Sequence, residues 1–375
     1  MRVCHVAMGD LWAGAEVQLL SLMRYLARLP GFECSVILFN EGRLAEELRK
    51  LPVSLTVISE QTFSPMGIAY RLAKALRKIR PDVIHTHKYK DSFIGTLVAR
   101  SLGIPYVVRV VHGLPEPFMG LRNAKMVAYT AADRLMTGWF VDRVVAVSSD
   151  IEKVLIGMYG SNRVSCIHNG IDLEAVRVTT SREAFRRKWQ IPEDAVVIGT
   201  VGRLVPVKGH AILLDATRIL QASIGNVALV LVGDGPLRKD LEANAKRLGL
   251  EKSVIFAGQQ DQSYDFMNMM DVFVLPSLHE GIPMVVLEAL ALQRPVVATR
   301  VGGIPEVIEH GQTGFLAEPS DASSLARLLQ RLVEDLPMAV SIGKAGRTRV
   351  EEKFTARTMA GKTAELYEQV LSKEI

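Results

Sequence analysis

Two glutamates eight residues apart, Glu280 and Glu288, are the side chains whose types and spacing most clearly suggest chemistry. They flank the segment Gly281-Ile282-Pro283-Met284, which is typical of a loop that enters a helix. Ionised carboxylates accept hydrogen bonds from neighbouring hydroxyl groups, and N–H groups at a helix entry can meet phosphate or sugar oxygens. The pattern therefore indicates a site for a polyol, although each glutamate taken alone would be interpreted as a surface charge.

A second candidate is a cationic loop. Arg203 and Lys208 lie between Gly202 and Gly209, at a point where a strand-like run gives way to a helical one. An arginine can hold a diphosphate through two parallel hydrogen bonds, and a lysine can neutralise an oxygen of a leaving group. This loop predicts diphosphate binding more strongly than it predicts solvated surface charge.

Glycines mark two further strand ends. Gly9 and Gly14 enclose a loop before a helix, where free N–H groups and the helix dipole can bind an anion, but their spacing is not the dinucleotide fingerprint. The segment Gly233-Asp234-Gly235-Pro236 predicts a turn that leads into a helix with proline at its first position, and it implies no catalytic role. The Gly14 loop therefore predicts phosphate binding only when other sequence motifs support it.

Four histidines, His85, His87, His112 and His168, stand at predicted strand ends or in loops. His85 and His87 share one face of a strand, yet no cysteine or third histidine is near them in sequence, so zinc binding is the weaker interpretation. Hydrogen-bonding histidines at the edge of a cleft are favoured instead.

These residues require a scaffold of alternating strands and helices. Such alternation predicts an α/β fold with parallel sheets. In the first half the predicted strands are Val3–Ala7, Cys34–Phe39, Val83–His85, Tyr106–Val111 and Arg143–Val147, with helices at Ala15–Leu29, Arg43–Lys50 and Ser92–Leu102. In the second half they are Val196–Val201, Ala228–Val232, Val254–Ala257, Val272–Leu275 and Val296–Thr299, with helices at His210–Gln221, Pro236–Leu248 and Thr355–Leu371. A polar stretch near residues 170–195 is the expected linker between two Rossmann-like domains.

Composition excludes several classes of protein. The 375 residues are 49% hydrophobic and 23% charged, which suits two globular domains, and three scattered cysteines provide no disulfide framework. The first residues lack the pattern of a signal peptide, and charged residues interrupt every long apolar run. Residues 1–170 hold 21 Lys and Arg against 14 Asp and Glu, whereas residues 171–375 hold 24 against 26. A basic first half permits contact with anionic surfaces; binding to nucleic acid is a remote alternative.

Taken together, the motifs resemble the large retaining glycosyltransferase family of GT-B fold, the group 1, family 4 type. The motifs that carry this resemblance are Gly9 to Gly14, His112, His168-Asn169-Gly170-Ile171-Asp172, Gly202-Arg203 with Lys208-Gly209, Gly233-Asp234-Gly235, and Glu280 with Glu288. The resemblance implies an acceptor-binding domain over residues 1–170 and a nucleotide-sugar-binding domain over 171–354. It also implies that the two domains face each other across a cleft, with a final helix in 355–375 that crosses back to the first.

The resemblance also implies roles for individual residues. Arg203 and Lys208 would bind the donor diphosphate, Glu288 the ribose hydroxyls and Glu280 the transferred sugar, while His112 would contact that sugar near the reacting carbon. Gly14 and the segment Gly281-Ile282-Pro283-Met284 would complete the donor site. No metal and no other cofactor is expected with this fold.

The segment His85-Thr86-His87-Lys88-Tyr89-Lys90 resembles the branch of the family that builds bacterial surface polysaccharides, whose acceptors are often sugars linked to polyprenyl diphosphate. The expected activity is metal-independent, retaining transfer of a hexose from a nucleoside-diphosphate sugar to a glycan or lipid-linked glycan, in the cytoplasm or at the inner membrane surface. A sugar epimerase or phosphorylase of the same fold is the alternative enzyme. A non-catalytic module that binds anionic surfaces is the alternative outside enzymes.

Overall fold

The computed structural model describes residues 1–114 and 124–372, and within this range the side chains of 124–129 are left undescribed. The chain divides into two compact units. Unit 1 comprises residues 1–170 together with the chain from Thr355 onward, and unit 2 comprises Ile171–Phe354. Each unit contains one parallel sheet with its own hydrophobic core.

Unit 1 is built on seven strands in the order β3-β2-β1-β4-β5-β6-β7. The strands are β1 (Arg2–Ala7), β2 (Glu33–Leu38), β3 (Ser54–Val57), β4 (Val83–Thr86), β5 (Tyr106–Val111), β6 (Arg143–Ala146) and β7 (Val164–Cys166). The helices are α1 (Gly14–Leu26), α2 (Arg43–Leu48), α3 (Pro65–Ile79), α4 (Tyr89–Ser101), α5 (Ala124–Phe140) and α6 (Ser149–Tyr159). The central strands of this sheet form an apolar core because most of their residues are buried, as expected for a parallel sheet covered on both faces, whereas the edge strand β3 has no buried residue.

Unit 2 has six strands in the order β10-β9-β8-β11-β12-β13. The strands are β8 (Val196–Val201), β9 (Val227–Val232), β10 (Val254–Gly258), β11 (Val272–Leu275), β12 (Val296–Thr299) and β13 (Phe315–Ala317). The helices are α7 (Arg182–Lys188), α8 (His210–Ile224), α9 (Arg238–Arg247), α10 (Ser263–Met269), α11 (Met284–Ala291), α12 (Ile304–Val307), α13 (Ala322–Glu334) and α14 (Leu336–Lys353). The predicted α/β class with two Rossmann-like sheets is confirmed.

Each sheet reverses its strand order at one point. In unit 1 the chain proceeds outward from β1 to β3 and then returns to place β4 on the other side of β1. In unit 2, β11 is placed in the same way beside β8. Ligands of open α/β sheets bind at such a switch point, outside the carboxyl ends of the strands. The loops that follow β1, β4, β8 and β11 are therefore the places to look for chemistry.

The sequence patterns missed three short strands, β3, β7 and β13, which lie at the sheet edges. β3 and β7 contain polar residues, and β13 has only three residues, so none of them shows the apolar run by which the buried four-residue strands were predicted. Part of the polar stretch expected as a linker is folded, because α7 packs against α10 within unit 2. Phe185 is fully buried there, and Arg186 forms an ion pair with Asp271.

The last helix, α15 (Ala356–Leu371), belongs to unit 1. The Thr355 side chain caps it by accepting a hydrogen bond from the N–H of Thr358. The buried face of α15 includes Met359 and Tyr367 and packs against α1, where the amide of Gln18 donates to the Met359 sulfur. Across the described ranges, no helix is both long and apolar enough to cross a membrane.

Candidate active site

The loops at the switch point of unit 2 bring Lys208 and Glu280 together. Lys208 closes a short 3-10 turn, Pro206–Lys208, after β8, and Glu280 lies in the loop after β11. The Lys208 Nζ lies 2.6 Å from Glu280 Oε1, and the Ser277 hydroxyl donates to the same carboxylate oxygen at 2.6 Å. Both charged side chains are mostly buried, with 21% and 11% of their surface exposed. The pair therefore forms a defined polar cluster in which each group holds the other in place.

Gly209 allows these two loops to meet. It has a φ of 66°, and a Cβ at this position would lie 2.0 Å from the carbonyl oxygen of Pro276. Leu278 donates its backbone N–H to Val207, which joins the loops a second time. Only glycine combines this left-handed conformation with so close an approach. The position of Lys208 therefore depends on the residue that follows it.

A second close approach sets the position of Glu280. Gly302, in the turn after β12, has a φ of 50°, and a Cβ there would stand 1.8 Å from the carbonyl oxygen of Glu280. The next residue, Gly303, donates its backbone N–H to the carbonyl of Gly281 at 3.2 Å. The loop that carries Glu280 is thus supported by the turn after the neighbouring strand.

Glu288 lies on α11 and is only 6% exposed. Burial raises the pKa of its carboxyl to about 7, because the charged form loses its hydration. No side-chain hydrogen bond to this carboxyl is found within the described residues. A buried carboxyl in this state can accept hydrogen bonds from hydroxyl groups of a ligand.

The segment between the glutamates leads into α11. Pro283 is the N-cap residue, and Ile282 and Met284 are buried beneath the turn. Gly281 is also buried. The N–H of Val286 donates to the carbonyl of Pro283 at 3.1 Å. The first two N–H groups of α11, those of Met284 and Val285, have no partner inside the helix, so they are available to an oxygen of a ligand.

Arg203 differs from Lys208 in its surroundings. It is exposed, and no hydrogen bond or ion pair of its side chain is found in the described part of the chain. Its guanidinium group is therefore free to reach an anion. The loop of Arg203 is fixed by Leu204, whose N–H donates to the carbonyl of Asp234 in the glycine turn after β9.

Two histidines of unit 2 also border this cluster, although the sequence patterns did not single them out. His210 begins α8 and is 3% exposed; burial, with a smaller effect of Lys208, lowers its pKa to about 4. One ring nitrogen of His210 and one of His279 are buried without a partner in the described residues. Their proximity in sequence to Lys208 and Glu280 was the available signal.

The switch point of unit 1 gathers polar groups from the loops after β1 and β4. Glu16, near the start of α1, is 2% exposed and forms an ion pair with Lys88, the N-cap residue of α4. Asp91 is fully buried and accepts backbone N–H groups of His87, Lys88 and Ser92. Burial nevertheless raises the pKa of Asp91 to about 7. None of these three charged residues was a predicted site residue.

Gly14 is the first residue of α1, which follows β1 as predicted, and it is preceded by Ala13 at the N-cap. No side chain caps this helix, so its first N–H groups lie open at the carboxyl edge of the sheet. His112 lies just beyond β5. Burial lowers the pKa of His112 to about 4, with a further contribution from Lys88, so the ring is neutral at pH 7.

The other predicted histidines, His85 and His87, are both buried. They stack on each other with ring centroids 5.1 Å apart, and His87 stacks on His112 at 5.8 Å. No group of three or more His, Cys, Asp or Glu side chains in the described ranges is arranged to hold a metal ion. Each ring also makes one hydrogen bond: His85 Nδ1 lies 2.6 Å from the Tyr367 hydroxyl, and His87 Nε2 lies 3.0 Å from His5 Nδ1.

Comparison with known proteins assigns the family. The model described as Glycosyl transferases group 1 matches residues 181–349, and the model described as Glycosyltransferase Family 4 matches residues 12–175. An uncharacterised glycosyltransferase of Methanocaldococcus jannaschii is 30% identical over 294 residues, which cover 76% of this chain and 75% of that protein. The chain belongs to the group 1 glycosyltransferases.

Other relatives of this group 1 glycosyltransferase have names that state a substrate or a pathway. A UDP-Gal:alpha-D-GlcNAc-diphosphoundecaprenol alpha-1,3-galactosyltransferase of Escherichia coli is 27% identical over 379 residues, covering 98% of this chain and 96% of the relative. The capsular polysaccharide biosynthesis glycosyltransferase CapM of Staphylococcus aureus is 26% identical, covering 83% of each chain.

Solved structures agree on the fold of the glycosyltransferase. HepE of Anabaena, crystallised in complex with UDP and glucose, matches with a TM-score of 0.86 and 24% identity, covering 98% of this chain and 100% of HepE. WaaG, a glycosyltransferase involved in lipopolysaccharide biosynthesis, matches with a TM-score of 0.75 and 18% identity, covering 98% and 99% of the two chains. The fold is GT-B.

Proposed function

We propose that the protein transfers a hexose from a nucleoside-diphosphate sugar to a hydroxyl group of a glycan or polyprenyl-linked glycan, with retention of anomeric configuration and without a metal. The observation that carries the proposal is the cluster of Lys208, Glu280 and Ser277 at the switch point of unit 2. Glu280 also lies on the same segment as the buried Glu288. It combines a cation suited to diphosphate with carboxylates suited to sugar hydroxyls.

In donor binding, the cationic residues would contact the diphosphate and the carboxylates would contact the hydroxyl groups. Arg203 and Lys208 would neutralise the diphosphate, and the open N–H groups at the start of α11 would add hydrogen bonds. Glu288 would accept the ribose hydroxyls. Glu280, held by Lys208 and Ser277, would position the transferred sugar.

The chemical step needs stabilisation of the departing diphosphate, whose charge develops as the glycosidic bond breaks. Cations and N–H groups fixed in place before the reaction supply it. The departing phosphate can accept the proton of the incoming hydroxyl, so attack and departure occur on one face of the sugar. His112, neutral at pH 7, would donate or accept a hydrogen bond at the sugar without adding charge.

Relatives support the substrate classes. The Escherichia coli galactosyltransferase is named for a UDP-sugar donor and a diphosphoundecaprenol-linked acceptor, and HepE was solved with UDP and glucose. The proposed pathway is therefore cell-surface polysaccharide synthesis, in the cytoplasm or at the inner membrane surface. The donor base and the sugar are best identified by thermal shift, because a ligand that binds the folded state raises its melting temperature.

The decisive experiment incubates the protein with UDP-, GDP- and ADP-hexoses, with and without a polyprenyl-diphosphate-linked sugar acceptor. Transfer that requires the acceptor supports the proposal. A donor that is converted to an epimer in the absence of acceptor would identify an epimerase, and consumption of a glycan by free phosphate would identify a phosphorylase.

Contact with an anionic membrane is part of this proposal. Unit 1 carries the excess of basic residues, and its helix α5 exposes Leu135 and Trp139, one turn apart, at 58% and 78%. Each basic side chain near an anionic surface contributes roughly 1 kcal/mol. We expect salt-sensitive co-sedimentation with phosphatidylglycerol vesicles that weakens in Trp139→Ser. Equal binding to neutral vesicles would contradict it.

A further inference from the structure

A hydrogen-bonded chain of buried aromatic side chains connects the last helix of the protein to the carboxyl edge of the unit 1 sheet. The Tyr367 hydroxyl lies 2.6 Å from Nδ1 of His85 and 3.2 Å from Nε2 of His5. The other nitrogen of His5, Nδ1, lies 3.0 Å from Nε2 of His87. All four side chains are at least 96% buried.

All four side chains of this hydrogen-bonded series are uncharged at neutral pH. Burial lowers the pKa of His5 to about 3 and that of His85 and His87 well below the ordinary value, and it raises the pKa of Tyr367. Each imidazole therefore carries one N–H and one lone pair, and the tyrosine carries one O–H.

When the Tyr367 hydroxyl also donates, this proton count leaves two arrangements of the three hydrogen bonds, and in each the bonds all point in the same direction. In one, His87 Nε2–H donates to His5, His5 Nε2–H donates to Tyr367, and the Tyr367 hydroxyl donates to His85. In the other, every bond is reversed and His87 carries its proton on Nδ1. In a third arrangement the Tyr367 oxygen accepts from both His5 and His85, but its own buried O–H then has no partner among these side chains. Every other mixed arrangement opposes two donors or two lone pairs, and both situations are costly in a buried site.

The distances favour the first arrangement. An O–H donor makes shorter contacts than an N–H donor, and the Tyr367–His85 distance of 2.6 Å is the shortest of the three. The hydroxyl then donates to His85 and accepts from His5. His87 consequently holds its proton on Nε2, and its Nδ1 is a lone pair.

The lone pair on His87 Nδ1 ends this series of hydrogen bonds and is available to a ligand. Nδ1 of His87 is buried without a partner in the described residues, and so is Nε2 of His112. The two rings stack at an interplanar angle of 18°. A buried acceptor without a donor costs stability, so a substrate hydroxyl that reached it would gain a favourable hydrogen bond.

We propose that Tyr367 is a positioning residue whose hydroxyl, acting through His5, keeps the proton of His87 on Nε2 and so preserves Nδ1 as an acceptor for a sugar hydroxyl beside His112. The proposal deepens the proposed transferase function and rests on it for the identity of the ligand. The hydrogen-bond chain itself does not depend on that function.

The first experiment measures ring-nitrogen NMR spectra of the full-length protein labelled with 15N-histidine at pH 7.5, without substrate. The expected wild-type spectrum shows His87 as a single neutral form protonated on Nε2. In Tyr367→Phe, His5 loses its fixed partner, and His87 should show both neutral forms. Spectra in which His87 is protonated on Nδ1 in the wild type, or is unchanged in Tyr367→Phe, would overturn the proposal.

A second variant tests the direction of the chain and guards against misfolding of the first. His85→Leu removes the acceptor of the Tyr367 hydroxyl and replaces it with an apolar side chain of similar size. We expect the hydroxyl then to donate to His5, because its buried O–H would otherwise have no partner; this reverses the hydrogen bonds and moves the His87 proton to Nδ1. A His87 that remains protonated on Nε2 in this variant would contradict the mechanism.

The kinetic experiment separates positioning from mere stability. Thr363→Val is the matched control, because it removes another buried hydroxyl of α15, one that donates to the Met359 carbonyl and does not touch the histidines. We expect Tyr367→Phe to lower kcat by about 10-fold or more, with donor KM within about twofold, as for a small displacement near the reacting group. Thr363→Val should leave both unchanged. Equal kcat losses in both variants would reduce Tyr367 to a structural residue, and absence of transfer in the wild type would refute the proposed function while the NMR result still stands.

Discussion

Lys208 and Glu280 form an ion pair in the structure, with Nζ 2.6 Å from Oε1, although 72 residues separate them in the chain. The cation proposed to meet the donor diphosphate is therefore held by the carboxylate proposed to meet the donor sugar. When a diphosphate binds, Lys208 would interact with both the diphosphate and the Glu280 carboxylate. The orientation of the Glu280 side chain would therefore change on donor binding. The two subsites are coupled through one hydrogen bond.

The first prediction concerns this pair. Lys208→Met should weaken binding of UDP or another nucleoside diphosphate by about 2 kcal/mol, at the low end of the range of roughly 2–5 kcal/mol for removing one partner of a buried pair, because the pair is partly exposed. Arg203→Ala should weaken it less, since the side chain is exposed. Calorimetric titration measures both, with Lys246→Met on α9 as the control.

The double variant Lys208→Met with Glu280→Gln tests the coupling. Because Glu280 no longer carries an unpaired charge, the loss of affinity should be smaller than the sum of the single losses. Additive losses would show that the two residues act independently.

The second prediction follows from the buried carboxyl of Glu288. Its pKa in the folded protein, about 7, lies above the ordinary value of 4.5, so the folded protein holds this proton across the pH range between them. Glu288 therefore contributes stability that is fully present below about pH 4.5 and is lost as the pH rises to about 7. Relative to Glu288→Gln, the wild type should lose about 2–4 kcal/mol over this window.

Melting curves of both proteins at several pH values between 4.5 and 8 measure this difference. Asp91 has a similarly raised pKa but is present in both proteins, so its effect cancels. Glu318→Gln, an exposed carboxylate variant, should follow the wild type. A constant difference between wild type and Glu288→Gln at every pH would refute the prediction.

The third prediction concerns the turn that supports Glu280. Gly302→Ala should displace the Glu280 backbone, because the new Cβ would lie 1.8 Å from its carbonyl oxygen. The matched control is Gly311→Ala, where φ is 79° and no atom lies within 4 Å of the added Cβ. In both variants alanine must adopt a left-handed conformation, which destabilises the protein by roughly 1–2 kcal/mol. Only Gly302→Ala should also lower kcat, by about 100-fold. Similar kcat values in the two variants would exclude a role for this close approach.

The fourth prediction concerns stereochemistry. An inverting enzyme needs a base opposite the leaving group, and neither Asp10 nor Glu16 suits this role. Asp10 is exposed in the loop after β1, and Glu16 is buried in an ion pair with Lys88. An α-linked donor should therefore yield an α-linked product, with the same rate in the presence of EDTA. Proton NMR of the first-formed product reads the anomeric coupling, and a β linkage would contradict both the mechanism and retention.

Much of the site could be predicted from sequence because its chemistry lies in short segments next to recognisable strands. Val196–Val201 and Val272–Leu275 were predicted with the boundaries that the structure has, and so the loops carrying Lys208 and Glu280 were located correctly. The glycine spacing and the two glutamates are patterns within short segments, and such patterns can be recognised from the sequence alone.

Only the tertiary structure decided which of these groups meet. The order of strands in a parallel sheet is set by long-range packing, and it placed β4 beside β1 and β11 beside β8. That order joins His5 to His87, and the packing of α15 on unit 1 adds Tyr367, which is 362 residues from His5 in sequence. Burial likewise has no signal in a single carboxylate, so the raised pKa of Glu288 and the ion pair of Glu16 emerged only from the fold. Sequence determined the kinds of chemistry available, and the packing of the sheets determined which side chains share a desolvated site, because hydrogen bonding and pKa depend on distance and water rather than on position along the chain.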